Sequence, residues 1–223
     1  MTGQTLPSIG GYNLGMFDGN GHTITGLTDC LLQQNYGTVR NLTLVEPDIE
    51  STSQMFVGAI TIENSNIIEN CHVVGGSVVG MGIDIGGIAG VNNNIIRACS
   101  SSTTVTFNYE GTGVKNAGGI TGSNTGIVLA CYATGSITGT ASSEGAISGE
   151  RAGISSEHTA CYWSGNEKKG VGGGLDTTTK VAGDVTWETA MNTMNTALDG
   201  SGYQWELNPD DKTGKRPLII TNE

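Results

Sequence analysis

Five cysteines, three histidines and 21 acidic side chains are the groups in this 223-residue chain best suited to chemistry. Four of the thiols, Cys71, Cys99, Cys131 and Cys161, recur at intervals of 28 to 32 residues, and Cys30 stands apart. Such thiols can pack as small hydrophobes, close a disulfide or hold a metal. The chain has no paired Cys-x-x-Cys, which disfavours metal, and an odd count without close pairs fits reduced thiols better than bridges. Among the histidines, His22 ends the turn Asp18-Gly19-Asn20-Gly21-His22, which offers two of the ligands of a calcium loop and lacks the others. His72 adjoins Cys71 and should face the opposite way. His158, with Glu157 beside it and Glu150 and Arg151 upstream, could head an acid–base site, although its irregular surroundings point to a surface residue.

Glycoside hydrolysis needs two carboxyl groups converging to about 5 to 9.5 Å. In this chain the acids do not recur at matched places: Glu63 falls in line with Gln34, Val91 and Ser123, and Glu69 with Arg40, Arg97 and Leu129. Glu46, Asp48 and Glu50 belong to a single stretch and alternate about Ile49. No G-x-S-x-G, H-E-x-x-H or phosphate-binding loop occurs. No catalytic residue, metal or cofactor is therefore expected, and an enzyme of the polysaccharide lyase or glycoside hydrolase kind is the second reading.

What positions these groups is an internal repeat. With Leu42, Cys71, Cys99, Cys131 and Cys161 in one column, Val39, Ile68, Ile96 and Val128 lie three residues upstream; Asn35, Asn64, Asn92 and Asn124 lie seven upstream; Leu31, Ile60, Ile88 and Ile120 lie eleven upstream. A fifth unit, ending in Cys161-Tyr162-Trp163, keeps the Cys-Tyr pair but loses the middle columns, as an end coil would. Within each unit the apolar runs are short and β-branched, bounded by Gly, Asn or Ser-Thr clusters, too short for helices. These features predict an all-β, right-handed parallel β-helix of about five coils over residues 1–165, its equivalent residues about 4.8 Å apart. The Asn column is expected at a turn, tolerating left-handed backbone and bonding to its equivalents above and below. The Cys column should be a buried thiol ladder, and Glu69 should lie between Arg40 and Arg97. Thr103-Thr104-Val105-Thr106 suggests a flat threonine array of the ice-binding kind, but the flanking stretches Gly75 to Val78 and Gly135 to Thr138 do not repeat a threonine pair.

Composition agrees with this architecture. Charged residues form only 14% of the chain against a usual quarter, 36 residues are Gly, and the Gly spacing has no three-residue period, so helical bundles, charge-rich disorder and collagen are excluded. A net charge of -11 without a basic stripe excludes a nucleic-acid partner. No apolar run is long enough to span a membrane. Met1-Thr2-Gly3-Gln4-Thr5 lacks the basic and apolar regions of a secretory signal. Past the repeats, 166–184 reads as a Gly-rich linker. Residues 185–223 read as a helix, with Thr186 as N-cap and Trp187, Met191, Met194 and Leu198 on one stripe, followed by the strand pair "YQWEL" and "PLII". This small α+β unit is expected to fold over the open end of the last coil.

The stretches "FDGNGHTITGL" (17–27), "GGIAGVNNNIIRACSS" and "GGITGSNTGIVLACYATGSITG" resemble the GLUG-repeat proteins, bacterial surface and secreted chains that include adhesin-like proteins and repeat regions attached to immunoglobulin A1 peptidases, notably in Bacteroidales. The resemblance covers about Phe17 to Trp163. Gln33-Gln34 and Ile62-Glu63 replace the small residues expected near the Asn column. It implies extracellular display, secreted or at the cell surface and as part of a larger protein, and it brings no catalytic motif. The expected function is a non-catalytic adhesion or stalk module binding a host or glycan ligand through outward side chains and the loops Ser101 to Gly113 and Gly139 to Glu144. Tyr109, Tyr132 and Tyr162 are the expected contact aromatics.

Overall fold

The computed structural model describes residues 10–108 and 115–222. One coil of the chain shows the plan of the rest. Asp84–Gly86 runs up one face, Ala89–Asn92 turns back along a second, Ile95–Arg97 and Ser100–Ser101 form a bent third, and Thr104–Phe107 makes a fourth before Asn116–Gly118 opens the next coil. Each of these strands pairs in parallel with its equivalents in the coils before and after. The result is a parallel β-solenoid. Its second face stacks seven strands, from Tyr12–Asn13 to Val171–Gly173, its third eleven, and the other two four each. Four coils are thus complete, with partial coils at the ends bringing the stack near the expected five.

The inward columns are those of the repeat. Leu31, Ile60, Ile88, Ile120 and Ile147 form one fully buried row, and Val39, Ile68, Ile96 and Val128 another. Each contributes on the order of 2 kcal/mol of apolar burial. Between the first and second faces the chain doubles back so tightly that backbones nearly touch. A Cβ on Gly86 would strike the Ala89 carbonyl and the Thr121 Cα, and one on Gly118 would strike the Thr121 carbonyl. Neither glycine has a positive φ. The repeated Gly is needed here for lack of room.

Left-handed backbone occurs elsewhere than expected. Five of the left-handed residues, with φ between +47° and +55°, are Asn41, Asn70, Ala98, Ala130 and Ala160, one position before the Cys column, where the third face bends; Asn20 and Glu46 share this backbone outside that column. The Asn35 column lies on a strand instead. The 166–184 stretch is no linker: Val171–Gly173 joins the seven-stranded face and Thr179–Lys180 pairs with Tyr162–Trp163.

The C-terminal helix spans Trp187–Ala197. Thr186 caps it by accepting from the Thr189 N–H at 3.2 Å, and Ala190, Met194 and Leu198 are its buried stripe. Tyr203–Leu207 and Leu218–Asn222 follow as an antiparallel pair. This unit lies along the side of the rod, across the bent third face, with Met194, Leu198, Trp205 and Leu218 packed on Ala98, Ala130, Tyr132 and Tyr162. The expected position over the open end is corrected by this packing: the aromatic side chains pointing out of the third face gave the apolar stripe a surface to bury. Among the described residues no helix is long and apolar enough to cross a membrane.

Candidate functional site

Two rows of asparagine climb the rod, an inner one of five residues and an outer one of two, and they differ in how completely they are bonded. In the inner row, the Nδ2 groups of Asn35, Asn64 and Asn92 each donate to the Oδ1 of the next asparagine at 2.8 Å, ending on Asn124. Asn13 adds a fifth member below Asn35, also at 2.8 Å. The amides are saturated: Asn64 Nδ2 also meets the carbonyls of Asn66 and Ile95, and Asn92 Nδ2 those of Asn94 and Ile127. Asn13 escaped the repeat pattern because its coil is incomplete; its Asn at the same strand end was the available signal.

The thiol column is as expected. All five cysteines are free and buried. Cys71, Cys99, Cys131 and Cys161 turn their S–H groups to backbone carbonyls, such as Glu69 for Cys71 at 3.2 Å and Val128 for Cys161 at 3.2 Å. Burial raises the pKa values of Cys99, Cys131 and Cys161 well above the usual thiol range, and that of Cys30 to about 12. Cys30, Cys99, Cys131 and Cys161 are thereby held as thiols, and the column packs as small hydrophobes.

The outer row lies on the opposite side of the third face. Asn41 Nδ2 donates to Asp18 Oδ1 at 3.0 Å, and Asn70 Nδ2 to Asn41 Oδ1 at 2.9 Å. His72 Nε2 is 3.0 Å from Asn70 Oδ1, and its Nδ1 is 2.9 Å from Ser100 Oγ. The ring therefore donates from Nε2 and accepts from the Ser100 hydroxyl at Nδ1. It is neutral, since burial, reinforced by nearby Arg216, pushes its pKa down to about 3. Alongside, Glu69 takes Arg97 at 2.6 Å and the Tyr203 hydroxyl at 3.1 Å. The ladder expected about Glu69 is half formed, because Arg40 pairs with Asp18 at 2.8 Å instead.

Where the C-terminal unit meets this row, a cleft of about 310 Å³ is lined by Asn20, Asn41, Thr43, Asn70, His72 and Arg216. Its chemistry is lopsided. The side-chain acceptors of Asn41, Asn70 and His72 are all engaged, while each asparagine amide keeps a second N–H. The buried Nε of Arg216 has no hydrogen-bond partner, and neither ion pair among the described residues includes this arginine. The cleft therefore presents a cation and several donors with few acceptors. Arg216 lies in the loop between the two C-terminal strands, and only docking of the C-terminal unit brings it to Asn70.

The other sequence candidates fall differently. Tyr132 and Tyr162 point out of the rod, but the C-terminal unit buries them; the Tyr132 hydroxyl donates to the Leu218 carbonyl at 2.7 Å and its ring meets Trp187 and Trp205 edge-on. They cannot be contact aromatics. Tyr109 lies outside the described residues. Of the proposed recognition loops, Ser101 to Gly113 includes buried Ser101 and Thr103 and the strand Thr104–Phe107, with 109–114 outside the described residues, whereas Gly139 to Glu144 is largely exposed. The threonine stretch pairs with Gly76 to Val79, one residue later than expected, and again without a repeated threonine pair. His158 is buried, since it occupies the inward column of Val128. It stands three residues before Cys161, which was the signal for this place. Burial lowers its pKa to about 4.

Carboxylates do converge at one point. The Asn116 amide nitrogen bridges Asp84 Oδ1 at 2.7 Å and Glu150 Oε2 at 3.0 Å, from three successive coils. Burial raises the Asp84 pKa to about 6. However, Asp84 and Asn116 are only 6% and 3% exposed, in the narrow space between the first and second faces. A saccharide cannot reach them.

Fold and site together define a parallel β-solenoid with a laterally docked α+β unit and a donor-rich cleft at the seam. No family model matches the chain, and no curated protein matches it. Among solved structures, it is similar to one from Bacteroides ovatus described as "a putative immunoglobulin A1 protease", with a TM-score of 0.63 and 20% identity over 92% of this chain and 76% of that one. That likeness is one of fold.

Proposed function

We propose that this chain is a non-catalytic display module, secreted or held at a cell surface as part of a larger protein, whose rod presents side chains to a host or glycan ligand. The sealing of Asp84 and Asn116 supports it most: of the two acids that converge, Asp84 is closed to substrate and half-buried Glu150 is tied to it through Asn116, and the remaining polar rows are spent on cohesion or line a shallow cleft. The exposed Gly139 to Glu144 loop and the outward residues of the fourth face, where Thr106 and Thr138 join hydroxyls at 2.8 Å, offer the extended surface such a role needs. A second reading, an accessory segment of a secreted peptidase, is favoured by the description of the Bacteroides ovatus neighbour, and places any peptidase chemistry in another part of that protein.

The test is a glycan and host-matrix array run beside a polysaccharide-degradation assay on the same protein. Saturable binding with no product supports display. Product release that disappears in Glu150→Gln would make the chain an enzyme.

A further inference from the structure

We infer that the outer edge where the second face meets the third is a binding strip for an extended, neutral, β-linked hexose chain, with Tyr12 and Tyr36 as its aromatic end. This deepens the display reading and rests on it. Among the described aromatic residues, Tyr12 at 64% and Tyr36 at 48% are the two exposed ones, and they stand together, their ring centroids 6.2 Å apart and their planes 36° from parallel. From them a row of bonded side chains climbs the rod. The Tyr36 hydroxyl donates to Gln34 Oε1 at 2.7 Å and Gln34 Nε2 to Glu63 Oε2 at 3.2 Å. Asn93 Nδ2 donates to Glu63 Oε1 at 2.6 Å, and the Thr125 hydroxyl to Asn93 Oδ1 at 2.9 Å. In register, Tyr12 stacks on Gln34, Gln34 on Glu63, Glu63 on Val91 and Val91 on Ser123, four steps of about 4.8 Å, or about 19 Å in all.

The fold does not need these residues. In the next two coils the places of Gln34 and Tyr36 are held by Val91 and Asn93, then by Ser123 and Thr125, and the same strands stack there in the same register. Gln34, Tyr36 and Glu63 are therefore departures from the repeat gathered on one edge of the surface, and each is at least partly exposed. Their chemistry matches a saccharide. Aromatic rings take up the apolar faces of sugar rings, and an exposed aromatic cluster marks an interaction surface. The second N–H of Gln34 and of Asn93 can donate to hydroxyls, while the Glu63 and Thr125 oxygens keep lone pairs to accept from them. The bonds within the row hold these groups in place before a ligand arrives. Glu63 is the one charged member, in a chain of net charge -11, which disfavours an anionic glycan. An extended β-linked hexose chain advances by nearly one coil spacing per ring, so successive sugars meet successive coils.

The experiment titrates the full chain with cellohexaose and with β-mannohexaose, against glucose and hexagalacturonate, following tyrosine-ring and side-chain amide NMR signals. A neutral hexasaccharide should bind saturably and shift Tyr12, Tyr36, Gln34 and Asn93, with glucose and hexagalacturonate each at least about tenfold weaker. The double variant Gln34→Val with Tyr36→Asn, which copies Val91 and Asn93, should weaken that binding about tenfold or more and leave the thermal midpoint unchanged. Tyr36→Phe, which keeps the ring, should lose less. Should the double variant lose stability, the shift map of the unaltered protein decides alone. Glucose binding as tightly overturns the extended strip, and hexagalacturonate binding as tightly overturns the neutral assignment. Silence at these four residues with both neutral hexasaccharides overturns the site, as does self-association that the double variant abolishes, which would make the edge an interface between copies. Array binding that survives in the double variant leaves the display reading standing without the strip, whereas polysaccharide turnover would end that reading separately.

Discussion

The inner and outer asparagine rows are built from the same residue at the same vertical spacing, yet they do opposite work. Inside, the amide nitrogens of Asn64 and Asn92 each reach three acceptors, and the row is closed to water. Outside, Asn41 and Asn70 each keep an N–H and end against a cleft. The difference is one of satisfaction: a saturated buried row holds coils together, while an unsaturated one at a seam is available to a ligand. The outer row also changes character along the rod. Its left-handed positions are Asn41 and Asn70 beside the cleft, then Ala98, Ala130 and Ala160. Alanine is poorly suited to that backbone, by about 1 to 2 kcal/mol. At Ala98 and Ala130 the docked unit leaves no space for a longer side chain: both are fully buried, and Trp205 Nε1 donates to the Ala130 carbonyl at 3.0 Å. Packing has outweighed backbone preference there.

The comparison can be broken at the seam first. Trp205→Ala should cost about 3 to 5 kcal/mol, the usual loss for a buried aromatic, and should release the C-terminal unit. Hydrogen exchange should then rise across 187–222 and leave the rod strands protected; equal loss of protection in both would show that rod and unit are one cooperative body.

Within the rows, Asn92→Ala should lower stability by about 3 kcal/mol, since it deprives the half-buried Asn94 and Ile127 carbonyls of a donor and strands the buried amides of Asn64 and Asn124 on either side of it. Asn70→Ala, at the half-bonded row, should cost about 2 kcal/mol or less. Denaturant midpoints of the two variants measure the gap, and equal costs would remove the distinction between the rows.

Acid should act on both rows through their histidines. His72 and His158 are held near pKa 3 and 4, below the 6.5 of an unfolded chain, so the unfolded state binds protons that the native state refuses, and stability falls as pH drops below 6.5. Asp84 works the other way: held near 6 against 3.8, it lets the native state take up a proton first and regain stability over that window. From pH 7 to pH 5 each histidine loses about 2 kcal/mol and Asp84 returns about 1, a net loss of about 3 kcal/mol. Thermal unfolding across that range checks the sign, and His72→Gln should remove about two-thirds of the slope.

The smallest effect tests the strained column. Ala160→Gly, at φ +50° and beyond the fully buried pair, should stabilise the chain by about 1 kcal/mol or less, because glycine accepts left-handed backbone freely. A loss of stability, measured by the same denaturant titration, would show that the alanine methyl matters more than the strain.

Much of this molecule was legible in its sequence. The Cys, Ile and Asn columns came out in register, down to Glu63 facing Gln34 and Val91 and Glu69 facing Arg40 and Arg97. Stacking converts a sequence interval into a neighbour, so periodicity alone carries that information. Even the burial of His158 was written in its place three residues before Cys161. The left-handed position was misjudged by six residues along the coil, because alanine gives no outward sign of an unusual φ.

Sequence by itself settled which residues stack, since that depends on local spacing and on alternation of apolar side chains. Tertiary structure alone decided what the outward side chains meet. The C-terminal unit docked on the flank, covered Tyr132 and Tyr162, and carried Arg216 to Asn41 and Asn70 from far along the chain. Such contacts arise from burial of one surface against another, which has no period and leaves no column to read.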